Sequence, residues 1–408
     1  MGEWKETYLG EYADVLNGFA FKSEDFSTKG VPVIKIKNVA SGKIKMDDVQ
    51  FYPHELTDKL NKFLILRGSI LIAMTGSHAT QPSSMVGRVS RYDLEYSSLL
   101  NQRVGKIYSK DLKKLNETFL YYFLVQNDVT LDLAINAGGS ANQANIAPEQ
   151  IKSIPISLPA IEEQTAIASI LSSLDDKIDL LHRQNKTLEA LAETLFRQWF
   201  VEEAEEGWEE TKIGKVLKTE LGGTPSTKKP EYWDGDVPWI NSGEVNNFRI
   251  DKASKYITKL GLKESNTKLL PQGTVVLAIT GATLGQISIL EIDACANQSV
   301  VGIIPNEDFP MEFVFLWVKL KIKEIISNQT GGAQQHINKD DVNETPIIIP
   351  PKALMKECMP TLSSHFNKIS SNINQIRTLT RLRDTLLPKL MSGEVRVAKS
   401  ALAEVFHD

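Results

Sequence analysis

The chain has 408 residues, 42% of them hydrophobic, which is enough for two ordinary domains with separate cores. Its net charge of −5 argues against a simple basic DNA-binding module. The sequence predicts no membrane span and no secretory signal, and two cysteines are too few for a disulfide framework or a cysteine zinc site, so a reduced, cytoplasmic protein is expected.

The first predicted region, residues 1–158, reads as an α+β domain. Short β-branched runs between glycine and asparagine turns predict strands, including residues 31–39 and 69–75. Helical apolar spacing predicts a helix within residues 112–125.

A long helix is predicted over residues 161–200, within a second region covering residues 159–206. From Ile167 to Trp199 the apolar positions alternate at spacings of four and three, which is a coiled-coil seam of more than four heptads. Residues 159–206 carry 4 Lys or Arg against 11 Asp or Glu, so acidic charge is concentrated on this helix and the linker after it. A nucleic-acid partner would therefore need basic patches elsewhere, or another subunit.

Residues 207–351 repeat the first domain, and residues 352–408 repeat the long helix. Trp4 matches Trp208, "RGSILIAMTG" (67–76) matches "QGTVVLAITG" (272–281), and "IPISLP" (154–159) matches "TPIIIP" (345–350). So many matches in one order indicate a duplication. Pro360 is expected to mark the start of the second helix, because proline suits a first helical turn and breaks an interior.

The two long helices are predicted to pack together as an antiparallel coiled coil, related by a pseudo-two-fold axis, because neither can bury its apolar stripe alone. An axis near residue 183 would place Asn185 opposite Asn372, and such a buried amide pair would fix the register. The seam residues predicted to meet are Leu174, Ile178, Leu181, Asn185 and Leu188 with Ile369, Asn372, Ile376 and Leu379.

Two segments carry a resemblance to a known family. "EEQTAIASILSSLDDKIDLLHRQNKTLEALAETLFRQWF" (162–200) and "LRDTLLPKLMSGEVRV" (382–397) resemble the conserved helical regions of the specificity (S) subunits of type I restriction–modification systems. "NGFAFKSEDF" (17–26) and "GGTPSTKKPEYWDGDVPWI" (222–240) resemble segments of that family's target-recognition domains. The order of domain, helix, domain, helix also resembles the family.

The resemblance implies a non-catalytic subunit that reads a bipartite double-stranded DNA sequence, one half-site for each domain. It implies two methyltransferase subunits as partners, which would bind S-adenosylmethionine, and restriction subunits, which would use ATP and Mg. This chain is expected to hold no cofactor, metal or catalytic residue, since nucleotide-binding and methyltransferase motifs are missing from its sequence. Two alternatives remain: a coiled-coil scaffold that binds only proteins, and an independent nuclease.

Polar residues that differ between the two halves are the candidates for reading bases, because shared ones more often build the fold. In the first half these are Lys35, Lys37, Asn38, Ser77, His78, Thr80 and Gln81, with Asn142 and Gln143 as weaker candidates in a loop equivalent to that of Gln334 and Gln335. In the second half they are Thr227, Lys228, Lys229, Tyr232, Asn241, Ser242, Glu244, Gln334 and Gln335. Lys228 and Lys229 would contact phosphates, whereas Gln81 could bond adenine and Glu244 cytosine.

Each candidate has a structural alternative. The residues around His78 could be a surface insertion, the lysine pair and the charged strand ends could simply be solvated, and the shared Asn101 and Asn297 are expected to be structural. At the helix ends, Phe196, Trp199, Leu387 and Met391 could anchor the methyltransferase subunits or pack on their own domains.

Overall fold

The computed structural model describes residues 4–40, 42–53, 58–79, 85–140, 143–205, 207–327 and 337–397. The chain divides into two compact units: unit 1 takes its described residues from 1–180 and 376–408, and unit 2 from 181–375. Both boundaries fall inside long helices, so each unit contains part of each helix. Within the described ranges, no helix is long and apolar enough to cross a membrane.

The described residues of unit 1 form fifteen strands, five shorter α-helices, the beginning of one long helix and the end of the other. In chain order these are β1 (Lys5–Tyr8), α1 (Leu9–Tyr12), β2 (Ala13–Asn17), β3 (Val31–Ile34), β4 (Val39–Ala40), β5 (Lys43–Ile44), β6 (Gln50–Tyr52), α2 (Asp58–Asn61), β7 (Leu64–Ile65), β8 (Ile70–Ala73), β9 (Thr75–Gly76), β10 (Val89–Arg91), β11 (Ser98–Leu100), β12 (Val104–Ser109), α3 (Glu117–Leu124), α4 (Asn127–Ile135), β13 (Gly138–Ser140), β14 (Gln143–Asn145), α5 (Pro148–Lys152), β15 (Pro155–Leu158) and α6 (Ile161–Arg197).

Unit 2 repeats this plan between the end of α6 and the beginning of the second long helix. In chain order the elements are β16 (Glu209–Lys212), α7 (Ile213–Val216), β17 (Lys218–Leu221), β18 (Trp233–Ile240), β19 (Arg249–Ile250), β20 (Lys255–Ile257), α8 (Lys259–Lys263), β21 (Val275–Ala278), β22 (Ile287–Leu290), β23 (Cys295–Ala296), β24 (Val300–Ile304), α9 (Met311–Ser327), α10 (Lys339–Glu344), β25 (Pro346–Ile349) and α11 (Lys352–Met391).

The main sheets of the two units correspond. In unit 1 the main sheet has the order β10-β8-β12-β2, and in unit 2 the corresponding order is β22-β21-β24-β17, extended by β19. In each unit the first strand pairs antiparallel with the strand that leads into a long helix, with Lys5 opposite Leu158 and Glu209 opposite Ile349. The predicted tandem α+β fold is confirmed.

Within each unit the two long helices contact each other. In unit 1, Arg383 Nη1 donates to Asp175 Oδ1 at 2.7 Å, and Arg396, just beyond the end of α11, donates from Nε to Glu163 at 2.6 Å. Residue numbers rise along α6 as they fall along its partner, so the helices run antiparallel, as predicted.

The predicted amide pair forms in unit 2. Asn372 Nδ2 donates to Asn185 Oδ1 at 2.8 Å, and Asn372 is 0% exposed. Its own Oδ1 is buried without a hydrogen-bond partner among the described residues, which costs stability. The register-fixing role expected of this pair therefore has a stability cost.

The other seam positions are buried to different degrees. Ile178, Leu181 and Ile369 are buried, whereas Leu174, Asn185, Leu188, Ile376 and Leu379 are half-buried.

The predicted start of the second helix was wrong. Helix α11 begins at Lys352 and runs through Pro360. Pro360 and Lys356 both lie on the exposed side, so water can reach the Lys356 carbonyl that the proline leaves without a helical donor. The first turns also bury Cys358 and Met359 in the core of unit 2, which offsets the lost hydrogen bond.

The amide pair can be tested by a double-mutant cycle. Replacing only Asn372 or only Asn185 by Leu leaves one amide without its partner, whereas the double variant makes an apolar pair. We expect the double variant to gain about 1–2 kcal/mol more unfolding free energy than the sum of the single changes, measured by urea denaturation. Additive effects would contradict direct coupling between the two amides.

Candidate DNA-recognition residues

Each unit places a glycine against its Asn-Gln turn. A Cβ at Gly18 would lie 2.2 Å from the Asn101 carbonyl oxygen, and one at Gly222 would lie 2.0 Å from the Asn297 carbonyl oxygen. Both distances exclude any side chain without a backbone shift. Asn297 Oδ1 also accepts from the Ser299 amide at 3.1 Å, which favours the structural role expected for that residue.

In unit 1, the residues after β3 form a turn instead of the continuous strand predicted over 31–39. Asn38 is 1% exposed, its Oδ1 accepts from the Lys35 amide at 3.0 Å, and its Nδ2 donates to the Lys45 carbonyl at 2.8 Å. The side chain is thereby occupied in holding the turn. Nothing polar remains on it that is free to meet a base.

The two lysines of this turn have different surroundings. The ammonium of Lys35 lies 3.9 Å from the centre of the Phe26 ring and donates to Gln50. Burial, with a smaller contribution from Lys37, lowers the pKa of Lys35. Lys37 is exposed, with its ammonium 3.8 Å from the Asp48 carboxylate. Of the two, Lys37 is better exposed for a phosphate contact.

The corresponding turn of unit 2 uses a carboxylate in place of the amide. Glu244 Oε2 accepts from the Asn241 amide at 2.8 Å, and Glu244 Oε1 accepts from the Ser254 amide at 2.8 Å. The Asn241 side chain in turn accepts from the Gly243 amide at 2.8 Å. Glu244 and Asn241 therefore brace two backbone segments. Ser242 lies beside them and is half-buried.

The Gly- and Pro-rich loop after β17 forms one wall of a surface pocket of about 610 Å³. Lys229 Nζ donates to the Tyr232 hydroxyl at 2.7 Å, and Tyr232 is buried. The hydrogen bond to Tyr232 raises the pKa of Lys229. Lys228 and Thr227 are exposed, and Lys228 has no hydrogen bond or ion pair with a described residue.

Thr224 and Gln298 are among the pocket residues that were absent from the predicted set. Thr224 donates its hydroxyl to Gln298 Oε1, which joins the loop to the Asn-Gln turn, and both residues line the pocket. The sequence signals were the Gly-Gly-Thr-Pro loop and the repeated Asn-Gln pair. Only the fold shows that the two segments meet.

The remaining predicted residues belong to three segments of the sequence, around residues 77–81, 142–143 and 334–335. Ser77 is buried, His78 is half-buried and Gln143 is exposed. Thr80, Gln81, Asn142, Gln334 and Gln335 lie outside the described residues. The structure thus brings together Lys229, Tyr232 and the neighbouring Thr227 and Lys228. It places no described residue from the other predicted segments with them.

The aromatic residues at the end of α6 pack within unit 2. The Phe196 ring lies 5.0 Å from that of Phe200 and 5.2 Å from that of Phe313. Met391, the counterpart of Phe200 at the end of α11, is buried in the core of unit 1. Packing on their own domain, the alternative given above, accounts for both. Trp199 and Leu387 are half-buried and stay candidates for a partner interface.

Comparison with known proteins identifies the family. The sequence profile of the type I restriction modification DNA specificity domain matches residues 1–190 and again residues 205–381. The chain belongs to this family. It carries the specificity domain twice. Membership of this family confirms the prediction that the chain is a specificity subunit, not an enzyme.

Relatives match over most of this specificity subunit. The type I restriction enzyme MjaIX specificity subunit of Methanocaldococcus jannaschii is 27% identical over 319 residues, 73% of each chain. The HindI specificity subunit of Haemophilus influenzae is 23% identical over 97% of this chain and 100% of its own. A crystal structure of the S subunit from M. genitalium, 18% identical, covers 95% of this chain and 96% of that chain with a TM-score of 0.63, which shows the shared fold.

The role of Glu244 can be separated from base reading. Because Glu244 braces two backbone segments, Glu244→Ala should lower the unfolding free energy by about 1–2 kcal/mol, measured by chemical denaturation. The exposed neighbour Asn246 provides the control, and Asn246→Ala should change stability by less than about 0.5 kcal/mol. Unchanged stability of Glu244→Ala together with an altered DNA target would instead assign Glu244 to base reading.

Proposed function

We propose that this chain reads a bipartite DNA sequence for a type I restriction–modification complex, with each duplicated domain recognising one half-site. The observation that carries the proposal is the duplication itself. In both units a glycine packs against the Asn-Gln turn, and the first strand pairs with the strand that leads into a long helix. The two units differ, however, at exposed polar positions. A shared scaffold with different exposed side chains suits two half-sites of different sequence.

The long helices set the distance between the half-sites in this proposal. Contacts between α6 and α11 occur inside each unit, at Asp175–Arg383 and at Asn185–Asn372. Both contacts obey the same antiparallel register, which supports one continuous helix pair as the spacer. Lengthening both helices equally should then lengthen the DNA spacer.

The proposed partners are two methyltransferase subunits and the restriction subunits. The methyltransferase subunits would bind S-adenosylmethionine and methylate the target, and the restriction subunits would use ATP and Mg to act on unmodified DNA. Half-buried Trp199 and Leu387 are the candidate anchors on this chain. The net charge of −5 implies that tight DNA binding arises only in the assembled complex.

The spacer prediction uses the register of the helix pair. Asn185 lies opposite Asn372, so one heptad inserted after Leu188 in α6 and one inserted before Ile369 in α11 stand opposite each other. Seven residues add roughly 10 Å, which corresponds to about 3 base pairs. Methylome sequencing should then find both half-sites unchanged and the spacer about 3 base pairs longer.

Two controls complete that experiment. Insertion into α6 alone shifts the antiparallel register and should abolish methylation. A bipartite motif whose spacer stays unchanged after the double insertion would contradict the helix pair as the spacer. A single uninterrupted motif from the unmodified chain would contradict bipartite reading altogether.

A second prediction concerns Lys228, in the Gly- and Pro-rich loop after β17. Lys228→Ala should weaken DNA binding by the assembled complex about equally for cognate and unrelated sequences, and should reduce the dependence of log affinity on log salt by about 1, as expected for one lost phosphate contact. Fluorescence anisotropy over a salt series measures both. Exposed Lys323 on α9 provides the control, and Lys323→Ala should leave the slope unchanged. A sequence-selective loss for Lys228→Ala would indicate a base contact instead.

A further inference from the structure

Unit 1 contains a cleft of about 1160 Å³ beside its part of the helix pair. Its floor is formed by Asp175 of α6 and Arg383 of α11, and its walls come from α3, β10 and the turn between β4 and β5. The Tyr122 hydroxyl donates to Asp175 Oδ2 at 2.7 Å, and the guanidinium of Arg383 donates to Asp175 Oδ1 at 2.7 Å. The floor is therefore a connected polar cluster.

Unit 2 fills the corresponding space with its own residues. The Phe248 ring lies 5.4 Å from that of Phe315 and 6.3 Å from that of Phe366. Next to it, the guanidinium carbon of Arg249 lies 5.2 Å from the Phe366 ring centre, and Arg249 Nη1 lies 3.3 Å from Glu291. An aromatic ring followed by a cation thus closes this place in unit 2.

The duplication identifies which residues of unit 1 replace this plug. The offset between the halves makes Asp175 the counterpart of Phe366, Arg383 the counterpart of Ala192, and Tyr121 the counterpart of Phe315. Gly42 is the counterpart of Phe248, and a Cβ built on Gly42 points to within 3.9 Å of the Tyr121 hydroxyl, just as Phe248 packs on Phe315. By the same offset Lys43 is the counterpart of Arg249, so unit 1 keeps a cation at this place and has a glycine where unit 2 has the aromatic ring.

Tyr121 is left with an unused polar group facing the cleft. It is 8% exposed, lines the cleft, and its hydroxyl makes no hydrogen bond with a described residue. Burial raises its pKa to about 12, so the hydroxyl stays protonated and able to donate. A ligand that enters the cleft can pair with this hydroxyl in place of water.

The charges of the cleft favour a cationic occupant. Its lining includes four basic residues and six aspartates, with Asp93, Asp128, Asp175, Asp176, Asp179 and Asp384 on the acidic side. Arg383 is already paired with Asp175 and Asp384. An excess of carboxylates repels a DNA backbone and attracts a Lys or Arg side chain.

We propose that this cleft receives an aromatic residue adjacent to a Lys or Arg from a methyltransferase subunit. The ring takes the place that Phe248 fills within unit 2, and the excess of aspartates attracts the cation. The aromatic ring occupies the space above Gly42 and Tyr121, and the cation meets the exposed Asp176. The inference rests on the proposed docking of methyltransferase subunits. It makes the two docking sites of this chain chemically different.

Charge reversal at Asp176 tests the cation. Asp176 and its counterpart Asn367 are both exposed on the long helices, so Asp176→Lys and Asn367→Lys place a lysine at equivalent positions of the open and the plugged side. The charge changes by two units at Asp176 and by one unit at Asn367. Isothermal titration of the full chain with the methyltransferase subunit of its own system should show one of two binding steps weakened about tenfold or more by Asp176→Lys. Asn367→Lys should leave both steps within about twofold. Equal effects of the two variants would overturn the proposal.

Closing the cleft tests the aromatic residue. The double variant Asp175→Phe with Arg383→Ala installs the residues that unit 2 carries at these positions. We expect an unchanged or higher melting temperature and loss of the same binding step. Full binding by this variant, with its fold intact, would overturn the proposal.

Photocrosslinking identifies the occupant directly. p-Benzoylphenylalanine in place of Lys43, which lines the cleft and is exposed, should crosslink to a methyltransferase peptide containing an aromatic residue next to Lys or Arg. Crosslinks to DNA, or weaker DNA binding of the Asp175→Phe, Arg383→Ala chain without its partner, would assign the cleft to nucleic acid and overturn the proposal. Methylation of an intact bipartite target by complexes with Asn367→Lys tests the proposed function separately.

Discussion

The apolar stripe along each long helix needs a partner, and this requirement organises both units. In unit 1, Ile167 and Leu171 of α6 share a core with Leu390 and Met391 of α11. In unit 2, Ala192 and Phe196 share a core with Leu362 and Phe366. Each large buried side chain contributes about 2 kcal/mol, so neither core could dispense with the other helix. Unit 1 is consequently discontinuous in sequence, and its completion depends on the last turns of α11.

Polar contacts between the helices define a single register. Each apolar core could tolerate a shift along the stripe, because hydrophobic contacts are not directional. A shift is not tolerated by the Asn185–Asn372 hydrogen bond or the Asp175–Arg383 ion pair. A shift of one turn would separate the partners of each contact and leave their polar groups unpaired. The two contacts lie in different units yet follow the same pairing rule. Within each unit the register of the helix pair is thereby specified by a directional interaction.

The sequence was sufficient to predict what depends on periodicity and repetition. The duplication, both long helices and the Asn185–Asn372 pair follow from spacing alone. The prediction at Pro360 was wrong because it considered only the local free-energy cost of a proline inside a helix. The burial of Cys358 and Met359, which offsets that cost, depends on the tertiary fold. Asn38 and Glu244 look like exposed reading groups in the sequence, but they brace backbone turns whose partners, Lys45 and Ser254, lie several residues away. The cleft of unit 1 was not predicted, since it results from the small size of Gly42 beside a folded α3.

The polar floor of that cleft is better explained by recognition than by stability. The Asp175 and Arg383 side chains are 29% and 28% exposed, so their ion pair is partly desolvated, and an apolar pair of similar volume is usually at least as stable. Unit 2 has Ala192 and Phe366 at these positions. Tyr122 and Asp384 add hydrogen bonds to the Asp175–Arg383 pair, which reduces that cost without removing it. Apolar walls would pack against each other, as Phe248 and Phe366 do in unit 2. The charged residues that line the cleft of unit 1 stay in contact with water and keep the space open. An open site with directional hydrogen-bonding groups is what the side chains of a partner require.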